Sequence, residues 1–473
     1  MVATLAAPLS FVQADEYYVS LSGSDTNSGR DQSAPWRTIA HAARSVQPGD
    51  TVRIKGGTYE GDSLSIEKVA TQERPIVFAG HEGAPVITNR TGKGIHVLNW
   101  EHVRISGITV AHCSDNGVKV HNSRYCTLDN IIVRDCHKRG QVLYVRDSDH
   151  NMLQDCRIVQ TSVNPDYYLI LAYSHYNTVK RCLSEHAVGF DVGHQTHGIG
   201  IKDYTGQSSD PASHSHHNVF VDCTAVNHGE CFYAARPCHD NEFINCVADN
   251  SGGKQSFSPC FQVRDGAYNN TFRNCRGKGT NVGVRVYDYV EKDNTGREFQ
   301  TQRSNRFVNC ILQGAGRSMI GVLLRRAENT LFRNCIFQDC GYVFRFGTDG
   351  ETGESGGVVG TEMRNCIFLR NGEEYDLRPL GEPYRHGKGV RAYQGAVRIG
   401  YSCFSSNGFR APGGEGVIEA DPRLDRDGHL LAGSPCVDAG SNEGIVDGET
   451  DFEGDPRIVN TRVDMGADEY RSP

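Results

Sequence analysis

In the stretch HGIGIKDYTG, His197 to Gly206, two isoleucines alternate with Gly200 and Lys202. On a strand Ile199 and Ile201 point to one face and Gly200 and Lys202 to the other. That second face is cleared to glycine and carries a single amine. A lysine serves as a base near neutral pH only where burial or neighbouring cations lower its pKa, and a glycine beside it lets a ligand come close to the backbone. Cations are available further along, at Arg264 and Arg285. Histidines crowd the same stretch of chain: His186, His194, His197, His214, His216, His217, His228 and His239. The run SHSHH lacks zinc spacing and has no cysteine placed to complete a site. His197 and His228 precede equivalent strands, HGIGIK and HGECFY, and could face one another across adjacent coils as an acid/base pair or as a corner hydrogen bond.

A repeat positions these residues. The phrases NMLQDC, NTVKRC, NVFVDC, NEFINC, NTFRNC and NRFVNC begin at Asn151, Asn177, Asn218, Asn241, Asn270 and Asn305, and TLFRNC and TEMRNC continue them to Cys335 and Cys366. The starts are 23 to 41 residues apart, a period that indicates a solenoid with loops of varying length between similar coils. A second set of strands aligns between them, among them GVKVHNS, QVLYVRDS, YLILAYS, GIGIKDY, CFYAARP, CFQVRDG and GVRVYDY. Two or three short strands per coil without a helical pattern define an all-β parallel β-helix. Like residues then stack about 4.8 Å apart. The phrase-ending cysteines form a buried column of small hydrophobes rather than metal ligands or disulfides.

Aligning the second strands places Lys119, Tyr144, Lys202, Tyr233, Gln262 and Arg285 in one outward column. His121, Arg146, Tyr204, Ala235, Arg264, Tyr287 and Arg325 fall in another, two residues further on. The two columns make a basic, aromatic groove. Asp203–His217 and Asp288–Ser304, the longest inserts, would wall it. Lys119, Arg146, Tyr204, His228, Tyr233 and Arg285 are its candidate binding residues.

The bulk properties exclude other classes. A net charge of -8 and a pI near 6.2 give no basic field for nucleic acid or an acidic membrane. Residues 1–14 read as a secretory-signal remnant ending in an apolar run. Residues 15–420 form the β-helix with its cap, for which SAPWRTIAHAARSVQ supplies a short amphipathic helix capped by Ser33 or a neighbour. Residues 421–473 lose the repeat and read as an acidic closing segment whose aspartates serve packing. The expected protein is a secreted or periplasmic monomer.

The opening YYVSLSGSDTNSGRDQSAPWRTIAHAARSVQPGDTVRIKGGTY is similar to the N-terminal signature of secreted right-handed parallel β-helix polysaccharide lyases of the family-nine pectate lyase type. The central HGIGIKDYTG…HHNVFVDCTAVNHGECFY resembles the region where those lyases carry the catalytic lysine. The resemblance implies right-handed coils, an acidic, uronic-acid-containing polysaccharide or oligosaccharide as partner, and Lys202 as the Brønsted base. Such lyases remove the proton at C5 and expel the sugar at C4, which requires the adjacent carboxylate to be neutralised by calcium or by arginine. Arg264 and Arg285 offer the guanidinium fork, and His197, Tyr204 or Tyr233 could protonate the leaving oxygen. For calcium the nearest carboxylates are Asp191 and Glu230, because this chain has HGECFY where the family has an acidic phrase. No organic cofactor is implied. A β-helix glycoside hydrolase, a uronate C5-epimerase and a noncatalytic carbohydrate-binding protein share the fold, and the sequence leaves them open.

Overall fold

The computed structural model describes residues 14–136, 140–161, 165–186, 196–203, 210–252, 258–287, 301–315, 319–346, 358–371, 397–405, 411 and 413–471. Asp191, Tyr204 and the leader up to residue 13 lie outside them, as do parts of both long inserts. Among the described residues no helix is long and apolar enough to cross a membrane.

The chain winds into a parallel β-solenoid of about ten turns. Among the described residues its strands assemble into sets of 26, 11 and 2, and every named strand pair is parallel, as between Val219–Val221 and Glu242–Ile244. The 11-stranded sheet carries the site. Seven of its strands matter below: β1 Val118–His121, β2 Gln141–Arg146, β3 Tyr167–Ala172, β4 His197–Lys202, β5 Glu230–Ala235, β6 Pro259–Arg264 and β7 Val282–Val286.

The repeated phrase is the internal scaffold. Its asparagine is more than a turn residue: Asn177, Asn218 and Asn241 are fully buried and hydrogen-bond from coil to coil. The backbone N–H and side-chain amide of Asn218 both donate to Asn241 Oδ1, at 2.9 and 3.0 Å, and Asn241 repeats both bonds to Asn270. A buried backbone donor at each corner is thereby satisfied, which a hydrophobic residue could not do. Two residues on, Phe220, Phe243 and Phe272 stack face to face with centroids 4.5 Å apart. The residue before each cysteine turns the next corner. Asp155, Arg181, Asp222, Asn245, Asn274, Asn309, Asn334 and Asn365 all have φ of 50–55°, a left-handed conformation that asparagine and aspartate tolerate best. All seventeen cysteines are buried free thiols.

At the N-terminal end α1, Ile39–Ser45, lays Ile39, Ala42 and Ala43 into the core. Its cap is Thr38, five residues beyond Ser33, whose hydroxyl accepts from His41 N. The Asp62 carboxylate accepts from Ile39 N at 2.7 Å, a favourable charge at a helix N-terminus. At the other end Leu430, Cys436, Met465 and Ala467 of the closing segment pack on Ile311, Ile336 and Ile367. These isoleucines immediately precede core residues Leu312, Phe337 and Phe368, so the segment lies along the outer flank of the last coils.

Candidate functional site

Strands β3 to β6 share a bend. Tyr168 and Leu169, Cys231 and Phe232, and Cys260 and Phe261 are adjacent pairs that both enter the internal core, so the residue before each pair is turned outward. Three outward columns result. The first runs Tyr167–His197–Glu230. The second runs Lys119–Tyr144–Ile170–Gly200–Tyr233–Gln262–Arg285. The third holds His121–Arg146–Ala172 and then Lys202–Ala235–Arg264, the two parts joined one residue beyond the Leu171–Ile201 pair.

This register corrects the expected one. Lys202 stands in the column of Arg146 and Arg264, and Gly200 takes the place beside Tyr233. The expectation slipped by two residues, which leaves every side chain on its own face and so escapes a period-two pattern. The role of the glycine changes with it. A Cβ on Gly200 would run into the Tyr233 carbonyl oxygen and lie 2.8 Å from the Tyr233 ring, so the glycine is required by the close approach of the neighbouring strand and its tyrosine. The neighbours of Lys202 in the column are the small, fully buried side chains of Ala172 and Ala235.

The columns converge on Glu230. His197 Nδ1 donates to Glu230 Oε2 at 2.8 Å, while Arg264 Nε and Arg285 Nη2 lie 3.6 and 3.5 Å from Oε1. Arg264 also pairs with Asp265 at 2.8 Å, and Arg285 donates to Gln262 Oε1 at 2.6 Å. All of these residues are buried. Burial alone would raise the Glu230 carboxyl, but Arg264, His197 and Arg285 hold it well below the usual carboxylate range. Burial also pushes His197 down, against the pull of Glu230, with Lys202 and Arg264 adding to the depression. His197 is therefore a neutral donor at pH 7.

Lys202 feels the same field. Its pKa is lowered to about 7, first by burial and then by Arg264 and Arg236, with Glu230 opposing. Lys202 Nζ donates to the Tyr167 hydroxyl and lies 4.8 Å from the Tyr167 ring centroid. Tyr167 in turn stacks on His197, with centroids 4.4 Å apart and planes within 11°, and Tyr233 closes the cluster 5.3 Å from His197. One chain of contacts thus links Glu230, His197, Tyr167 and Lys202. The strand end is also pinned: Asp203 accepts from Tyr173 N, Ser215 N and Ser215 Oγ at 2.8, 2.7 and 2.5 Å.

Not every candidate belongs to this cluster. His228 does not face His197, because Glu230 occupies that register position. It is an interior residue, its Nε2 2.8 Å from Ser184 Oγ and its ring edge-on to Tyr168 at 4.4 Å, and burial lowers its pKa to about 3. Arg146 lies two coils from Lys202, paired with Asp147 at 2.9 Å. Lys119 is a further coil away, 5.9 Å from the Tyr144 ring. Tyr204 and Asp191 lie outside the described residues. Sequence reasoning missed Tyr167, Arg236, Asp265 and Asp203. The doubled tyrosine before LILA was the available signal for Tyr167, whereas Asp203 reads in sequence as the start of an insert.

Glu230 does not fit a calcium site. Calcium takes six to eight oxygen ligands, but this carboxylate faces two guanidiniums and an imidazole N–H. Among the described residues no three His, Cys, Asp or Glu side chains are grouped to hold a metal ion.

Coil, ladder and outward polar cluster define a parallel β-helix with a built site on one face. Residues 17–259, just over half of the chain, match the family model described as Pel9A-like, right handed beta helix region, and the chain belongs to that family. Among curated proteins, the Bacillus subtilis (strain 168) protein described as uncharacterized protein YwoF is 32% identical over 145 residues, 27% of this chain and 29% of that one. The alignment thus spans less than a third of that relative. Among solved structures, pectate lyase Pel9A is 15% identical with a TM-score of 0.42, covering 98% of both chains. The catalytic domain of a GH87 α-1,3-glucanase is 13% identical with a TM-score of 0.50, covering 78% of this chain and 67% of that one. An alginate lyase from Paenibacillus sp. str. FPU-7 is 14% identical with a TM-score of 0.43, covering 71% and 97%. At these identities the likeness is one of fold.

Proposed function

We propose that the protein is an exported polysaccharide lyase that cleaves an acidic, uronic-acid-containing chain by β-elimination. The observation that carries this reading is the placement of Lys202. An amine with a pKa near 7 stands between two alanines on an outward face, in one column with Arg264. Near neutral pH half of it is the free amine, able to take the C5 proton of a bound sugar. Arg264 and Arg285 lie 3.6 and 3.5 Å from the Glu230 carboxylate, and Arg264 and Arg236 help to lower the Lys202 pKa. A guanidinium of this cluster would neutralise the substrate carboxylate, which makes the C5 proton acidic.

The same geometry disfavours a hydrolase. Hydrolysis needs one carboxyl held protonated as a general acid and a second carboxylate across the bond. Glu230 is held ionised, and Asp265, whose carboxyl burial raises against the pull of Arg264, is paired with that arginine on the same side of the cluster instead of standing across a bond from Glu230.

The test is incubation with a panel of uronic-acid polymers, with and without chelator, following ultraviolet absorbance of the conjugated product. Wild type should form that product equally in both arms, and Lys202→Ala should lose it. Reducing ends released without absorbance would point to hydrolysis, and inversion at C5 without cleavage to an epimerase.

A further inference from the structure

We propose that a second cleft, on the 26-stranded set and walled by the closing segment, binds an acidic saccharide through a carboxylate held by Arg306. The proposal does not rest on the β-elimination reading, and the cleft shares no residue with the Lys202 cluster.

The cleft has a volume of about 490 Å³, within the range of small-molecule sites. Three strands build its floor: Thr271–Arg273, Arg306–Val308 and Leu331–Arg333. In register, Thr271, Arg306 and Leu331 form one outward column, and Arg273, Val308 and Arg333 form the next. Arginines therefore flank Val308 on both neighbouring strands and, two residues back, on its own. Residues 443–449 of the closing segment form the facing wall. The coils tie that wall down at both ends, since Asn365 Nδ2 donates to the Ser441 carbonyl at 3.0 Å and Asn309 Nδ2 to the Thr450 carbonyl at 2.9 Å. A ligand entering the cleft meets a wall that is already ordered.

Three of the four arginines that line the cleft are engaged by carboxylates. Arg273 pairs with Glu242 at 3.2 Å, Arg333 with Glu449, and Arg364 with Glu362 and Glu443. Arg306 is the exception: it is exposed, and among the described residues it makes no ion pair and no side-chain hydrogen bond. Its guanidinium offers the two-pronged donor that fits a carboxylate. Arg333 is more than nine-tenths buried and its Nε has no hydrogen-bond partner, so the floor also keeps a donor that the protein itself leaves unmet. On the wall, Asp447 is exposed and likewise without a partner among the described residues, an acceptor for hydroxyl groups. Leu331 and Val446, the latter 66% exposed, add apolar surface. A carboxylate, neighbouring hydroxyls and an apolar ring face on one small ligand describe a uronate residue.

The experiment is titration calorimetry on Lys202→Ala, in which the Lys202 amine cannot act on the probe. The probes are tetragalacturonate and tetraglucuronate, with maltotetraose as a neutral sugar and inorganic sulfate as an anion without one. At least one uronate probe should bind, and adding Arg306→Glu should weaken that binding about tenfold or more. Arg306→Gln, which keeps the stem and removes the charge, should act in the same direction, and it keeps the test intact if the reversed charge disturbs folding. Where the Lys202 face also binds the probe, two sites should become one when Arg306 is changed. If the β-elimination reading is wrong, the single site present should be the one lost with Arg306. Uronate binding that is the same with and without Arg306, or no uronate binding at all, overturns the proposal. So does maltotetraose or sulfate binding that depends on Arg306 as strongly as uronate binding does.

Discussion

Two regions of this molecule bury arginine among carboxylates, and they end differently. In the closing segment Arg457 is fully buried, and its guanidinium donates to the carbonyls of Ala467, Gly466 and Asp464 at 2.9, 2.5 and 3.4 Å. Its neighbours Asp451, Asp464 and Glu469 accept backbone N–H groups in turn, as in Asp451 from Glu453, Gly454 and Asp455 at 2.9 Å each. Apart from the Arg457–Glu469 contact at 3.5 Å, these groups are spent on loop backbone. Around Lys202 the charged groups meet one another's side chains on an outward face, and the amine is left with a pKa near neutrality. Buried charge alone does not mark a site; what its hydrogen bonds terminate on does.

Breaking each cluster should separate them. The largest effect expected is on activity: Lys202→Ala should lose about 10²- to 10⁴-fold in kcat/KM without loss of thermal stability. Arg457→Ala should leave turnover per folded molecule unchanged. It should lower stability by about 3–5 kcal/mol in chemical denaturation, because Glu469 and its neighbours lose their buried partner. Loss of turnover without loss of stability would contradict the division.

Two smaller effects sharpen it. The Lys202 pKa is depressed on folding from 10.5 to about 7, so between those values the unfolded chain binds more protons and stability rises with pH. Below about pH 7 the full cost of the buried ammonium is present. Lys202→Met should therefore be more stable than wild type at pH 6 in thermal unfolding, with the difference shrinking toward pH 10. Glu469 runs the other way: burial raises its carboxyl to about 8, so its contribution falls as pH rises from 4.5 to 8. In the scaffold, Asn241→Ala should cost about 1–3 kcal/mol, since Asn218 N loses its acceptor in a dry corner.

Legibility followed the physics of each element. The coil was readable because asparagine, phenylalanine and cysteine each answer a requirement that recurs in every turn: a corner amide, a stacked ring and a small buried side chain. The faces of the site strands were readable because isoleucine and glycine alternate. Register was not, since a two-residue slip conserves the face, and it separated Lys202 from Arg264 on paper. Tyr167 was hidden for a related reason: it starts a strand before the bend that turns Tyr168 inward, and nothing local shows which of two adjacent tyrosines faces out. His228 looked equivalent to His197 by its following glycine, but the glycines align differently, and Glu230 holds the facing position. The ion pairs of Glu230 join residues 33 to 55 apart in sequence, beyond any local pattern.

The central claim is that Lys202 acts as the base, tuned by Glu230 and the arginines. Its most direct test is the pH dependence of kcat/KM for formation of the unsaturated product in wild type and Glu230→Gln. Glu230 raises the Lys202 pKa, so its neutralisation should lower it. Wild type should show an acidic limb with a midpoint at about 7, and Glu230→Gln should carry the same limb to lower pH. A limb that stays in place in Glu230→Gln, or one that persists in Lys202→Ala, would contradict the assignment.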